Sequence, residues 1–153
     1  MPRSLPTLVA VAVIACALAA CDLVSTSPPP AGPDDFSGIT GRWAARGITI
    51  RNVVSGDSGC DDLALGRTAI RFEASGRDQD RAALFYLYIF RNRSAFERLR
   101  EAVGTCATAY VTDPGAPAPM AISPYVLVTP DALQPGFVDA LREGLQEAAG
   151  SGG

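Results

Sequence analysis

The chain has 153 residues, 48% hydrophobic and 19% charged, the balance of a globular protein with one domain or two small ones. It contains no histidine, and all 13 basic residues are arginine. The commonest general base, the commonest metal ligand, the Schiff-base amine and the phosphate-loop lysine are therefore missing together.

Residues 1–7 carry one cationic side chain, Arg3, and Leu8–Ala20 follows as thirteen residues without a charge. Thirteen helical residues reach about 20 Å, short of the ~30 Å hydrocarbon core of a bilayer, so the pattern is that of a signal peptide and not of a permanent span. Its end, Leu18-Ala19-Ala20-Cys21, resembles the lipobox of bacterial lipoproteins: a branched apolar residue, two small ones, then cysteine. The resemblance covers residues 1–21. It implies cleavage before Cys21, a diacylglycerol thioether on Cys21 Sγ, acylation of the new amino terminus, and a cell-membrane location on the extracytoplasmic face. Asp22 after the cysteine resembles, in part of that family, the signal for retention at the inner membrane.

Residues 21–37 then read as the lipidated cysteine and a tether. Ser25–Asp35 (STSPPPAGPDD) is rich in Pro and Ser with no large apolar residue, a semi-extended spacer of about 30 Å at ~3 Å per residue. The expected domain is 38–149, with a frayed tail over 150–153. Cys16 leaves with the signal peptide and Cys21 is acylated, so Cys60 and Cys106 remain as an even pair in an oxidising compartment. A disulfide between them would close 47 residues, counting both ends, and contribute roughly 4 kcal/mol by restricting the unfolded chain.

Ile48–Val54 is β-branched and predicts a strand. Thr68–Ala74 alternates, with Ile70 and Phe72 on one face and Arg71 and Glu73 on the other. Gly76–Arg81 reads as a polar connection, and Ala83–Phe90 (ALFYLYIF) is apolar on both faces, as a central strand should be. Ser94 and Glu97 have the spacing of a capping box, followed by an apolar stripe of Phe96, Leu99, Val103, Cys106 and Tyr110. A short strand is expected over Tyr125–Thr129, with Pro124 at its start or at a sheet edge. Pro135 opens a last helix with Phe137, Val138, Leu141, Leu145 and Ala148 inward. The order β-β-β-α-β-α predicts an α+β domain: a small antiparallel sheet of about four strands, two helices packed on one face, and one disulfide.

Candidate chemistry is sparse. Gly56-Asp57-Ser58-Gly59 resembles the nucleophile segment of chymotrypsin-like serine proteases, but without histidine or lysine nothing can take the serine proton, so a tight turn placing Cys60 is expected instead. Asp57, Asp61 and Asp62 offer oxygen ligands for Ca²⁺, yet their spacing does not match the twelve-residue calcium loop, so neither metal nor cofactor is assigned. Arg91, Arg93, Arg98 and Arg100 surround a helix start and suit either an anion such as a lipid phosphate or exposed ion pairs with Glu97. Losing Arg3 takes the net charge from −3 to −4, which argues against nucleic acid. Finally, Leu84, Tyr86, Tyr88 and Phe90 share one face of the central strand. If both helices cover the opposite face, Tyr86, Tyr88 and Phe90 form an open surface for a partner or apolar ligand, unless loops or the Trp43 segment cover it, which is the favoured expectation because buried second faces are common. The reading with most support is a non-catalytic module for an envelope protein or ligand. A small hydrolase using carboxylates and a lipid- or hydrophobe-binding module are the alternatives.

Overall fold

A computed structural model describes residues 34–150. The leader, the lipobox and Cys21 lie outside the described residues, as does nearly all of the expected tether. Nine elements follow in order: α1 (Phe36–Ala44), β1 (Ile48–Ser55), α2 (Leu63–Gly66), β2 (Ala69–Gly76), β3 (Gln79–Ile89), α3 (Arg93–Ala107), β4 (Met120–Ile122), β5 (Tyr125–Val128) and α4 (Pro135–Ala149). The strands form one sheet in the order β1-β2-β3-β5-β4, with every neighbouring pair antiparallel. The expected α+β class, antiparallel sheet and disulfide are present. No helix among the described residues is long and apolar enough to cross a membrane.

Three departures from expectation have local causes. The fold begins earlier than residue 38: Asp35 caps α1 by accepting the Gly38 amide at 2.9 Å, and the Asp34 amide donates to the Ala148 carbonyl at 2.8 Å. The polar stretch Gly76–Arg81 is mostly strand, because Gly76 and Gln79 pair across a two-residue hairpin turn that lengthens β3. Helix α3 starts not at Ser94 but one residue before it. Asn92 is the cap, accepting the Ala95 amide at 2.9 Å, which leaves Ser94 inside the first turn and the expected capping box unformed.

The placement of the helices is the larger correction. They do not share one face. On one side Phe72, Ala74, Phe85, Leu87, Tyr125 and Leu127 pack against α1 and α4 through Ile39, Trp43, Phe137, Leu141 and Leu145. On the other, Tyr86, Tyr88, Phe90, Val126 and Val128 pack against Phe96, Val103 and Cys106 of α3 and Leu65 of α2. The reason is in β3, whose side chains from Phe85 to Tyr88 are buried on both faces. Leaving either side uncovered would expose three or four large apolar groups at roughly 1.5–3 kcal/mol each.

Candidate functional site

The most structured surface feature is the connection between β1 and β2, pinned to α3 by the Cys60–Cys106 disulfide, whose Cα atoms are 5.7 Å apart. Gly59 stands there with φ +75°, and a Cβ on it would lie 2.9 Å from both the Tyr86 and Tyr110 rings. Glycine is required for its conformation and for its narrow place between two aromatic rings. Ser58 is buried, and its hydroxyl donates to the Cys60 carbonyl at 2.8 Å. With no base beside it, the resemblance to a protease nucleophile ends in a turn. The Ser58 carbonyl accepts the Tyr88 hydroxyl at 2.7 Å, and Tyr88 and Tyr110 hydroxyls are 3.2 Å apart.

This burial raises the pKa values of the phenols. Tyr86, Tyr88 and Tyr110 are all pushed up, desolvation being the main cause; the hydrogen bond to Tyr88 adds to the shift of Tyr110, and the Asp57 charge to that of Tyr86. The proposed open face formed by Tyr86, Tyr88 and Phe90 is therefore not a surface. These residues are 7%, 0% and 2% exposed, because α3 lies over them. They form a floor that positions the loop.

The three acids of the loop do different work. Asp57 accepts the Gly59 amide at 3.0 Å and faces Arg71 Nε at 2.8 Å. Asp62 caps α2, accepting the Ala64 and Leu65 amides at 2.8 and 3.1 Å. Asp61 points to solvent. Among the described residues no three acidic or sulfur side chains converge as a set that could hold a metal ion. The arginines around α3 also divide. Arg100 pairs with Glu97 at 3.1 Å, Arg98 donates to Ser94 Oγ at 2.8 Å, and Arg91 and Arg93 have no carboxylate within 4 Å among the described residues.

The loop stands as a ridge between two shallow depressions. One is bordered by Gly56, Asp57, Asp61, Leu63 and Arg67, the other by Asp61, Asp62, Ala102, Thr105 and Ala109. Leu63, beside the first, is 84% exposed. A third depression runs between α1 and the edge strand β1, lined by Phe36, Thr40, Ile50 and Val53. Nothing in the sequence pattern marks Leu63 or this edge. Periodicity marks which residues can be buried, and an exposed leucine in a polar loop carries no periodic signal.

No family model, no curated protein and no solved structure matches this chain.

Proposed function

We propose that the chain is an extracytoplasmic bacterial lipoprotein, held to the cell membrane by acyl chains on Cys21, and that its domain is a non-catalytic interaction module. The observation that carries this reading is the Cys60–Cys106 disulfide. A structural disulfide belongs to an exported protein, which is also what the apolar leader and the lipobox of residues 1–21 imply. Interaction is favoured over chemistry by how the side chains are used. Asp57 and Asp62 serve the loop and its cap, while the spaces between sheet and helices are filled by aromatic and aliphatic groups. An envelope protein has an open strand to meet: among the described residues the outer edge of β1 pairs with no other strand, and Val53 and Val54 on it are 47% and 40% exposed.

The test uses the full-length protein in its own membranes, with a photo-activated cross-linking residue at Val53 and a control at exposed Arg77. Intact mass reports acylation and loss of residues 1–20. The expected result is one reproducible, near-stoichiometric protein captured from Val53, absent from Arg77 and lost in V54D. Equal capture at both positions, or none, overturns the interaction reading, and an unmodified Cys21 overturns the anchor.

A further inference from the structure

The topology brings several connections to one end of the sheet. β1 and β3 are both antiparallel to β2, so the loop after β1 and the turn from β3 into α3 leave from the same end. β5, antiparallel to β3, begins there, and the Phe90 amide donates to the Pro124 carbonyl at 3.0 Å. Asp34 is fixed at this end too, its carbonyl accepting the Tyr125 hydroxyl at 2.6 Å. Cys21 and Asp34 are thirteen positions apart, a reach of at most about 45 Å. An anchor at Cys21 would therefore keep this end of the domain within about 45 Å of the bilayer.

The side chains presented there are unusual in combination. A single exposed leucine is ordinary on a protein surface. Leu63, however, is more exposed than any other large apolar residue among those described, and the connection that carries it and Arg67 leaves the sheet from the same end as Arg91 and Arg93. All three arginines are exposed, and none has a carboxylate within 4 Å among the described residues. Of the acids nearby, Asp34 pairs with Arg42 and Asp57 with Arg71, while Asp35 and Asp62 accept the amides of the helices they cap and keep their charge. Asp61 is exposed and has no cation within 4 Å among the described residues.

We propose that this end of the domain rests on the lipid surface, with Leu63 among the headgroups and Arg67, Arg91 and Arg93 against lipid phosphates. The proposal rests on the reading that Cys21 is lipid-anchored. Guanidinium groups match phosphate oxygens with two parallel hydrogen bonds, and the apolar leucine suits the layer just beneath. One leucine and three arginines do not recruit a free domain to a membrane. They orient one that is already tethered, because the anchor makes the encounter intramolecular. The consequence is a defined outward face: the β2–β3 hairpin and the start of α4 point away from the bilayer.

The experiment reconstitutes full-length, acylated L63W in phosphatidylcholine–phosphatidylglycerol vesicles containing lipids brominated on the acyl chain. D80W, at the exposed opposite end beside the hairpin, is the control. Trp43 is fully buried and gives the same background in both. The expected result is that the new tryptophan of L63W is quenched at least twofold more than that of D80W, and that R67E/R91E/R93E in the L63W protein removes most of the difference. Equal quenching of L63W and D80W, in protein that floats with the vesicles and carries acyl chains, overturns the orientation and leaves the anchor intact. Failure to float with an unmodified Cys21 overturns the anchor, and this proposal with it.

Discussion

Gly144 of α4 lies directly against the indole of Trp43 in α1. A Cβ at 144 would stand 2.4 Å from Trp43 Cδ1 and 2.8 Å from Nε1. The indole is fully buried, and Nε1 donates to the Leu141 carbonyl at 3.0 Å, so the ring cannot retreat without losing its partner. The missing side chain is what lets α1 and α4 approach closely enough to share a core.

Gly144→Ala should therefore destabilise the domain by about 1–3 kcal/mol despite the higher helix propensity of alanine, because overpacking outweighs propensity here. Gly104→Ala in α3 is the control, since nothing lies within 4 Å of its Cβ position. There the propensity gain of about 0.5–1 kcal/mol should appear as added stability. Urea unfolding of both variants checks the pair, and the same sign for both would contradict the close approach.

Reduction of Cys60–Cys106 should lower the unfolding free energy by about 4 kcal/mol, given the 46-residue separation. Helix α3 keeps its other contacts through Phe96 and Val103, so the far-ultraviolet spectrum should change little at low denaturant. Denaturation with and without reductant measures the difference. A midpoint insensitive to reductant would mean that packing alone holds the loop.

All four tyrosines have raised pKa values, with burial the leading cause in each case, and Tyr125 is pushed up to about 12. An unfolded phenol loses its proton near 10, so above that pH the folded state holds more protons than the unfolded one. The stability that these groups contribute is present in full below pH 10 and is lost as pH rises from about 10 through 12. Absorbance at 295 nm should show little tyrosinate in the native protein at pH 10, then a joint rise on unfolding. Half-ionisation near pH 10 in folded protein would refute the burial.

Asp131 closes a gap in the sheet. β3 pairs with β5 only from Tyr86 to Ile89, and the Leu84 amide beyond that stretch donates to Asp131 Oδ2 at 2.6 Å. Asp131→Ala should cost about 1–3 kcal/mol by leaving a half-buried amide without its acceptor, while Asp131→Asn should recover most of it. Hydrogen exchange at the Leu84 amide is the sensitive measurement. It should accelerate in the alanine variant and not in the asparagine one.

Local order was readable without coordinates wherever a single periodicity dominated. The alternation of Thr68–Ala74 foretold β2, observed over Ala69–Gly76, and Pro135 with its apolar stripe foretold α4. The Cys60–Cys106 pair was expected because the lipobox resemblance accounts for Cys16 and Cys21, and the disulfide is present. Less was legible where neighbours compete. Asn92 and Ser94 are both good caps, and the choice of Asn92 depends on where β3 delivers the chain. Helix α1 was missed because Phe36–Ala44 contains two glycines and only a short apolar pattern, and its helix is held by Trp43 on α4 and by the Asp35 cap.

That β3 is apolar on both sides follows from the identity of its residues alone. What would cover each side does not follow from them. Helices with similar stripes can dock on either face of a sheet, and the choice is a global matter of chain direction and connection length. The tertiary structure decided that α3 crosses over Tyr86, Tyr88 and Phe90 while α1 joins α4 opposite, turning a candidate binding surface into core. It also decided that Leu63, Arg67, Arg91 and Arg93, up to thirty residues apart in the chain, stand at the same end of the sheet as Asp34. Burial is a property of where a residue arrives, and in this fold strand direction sets where each loop arrives.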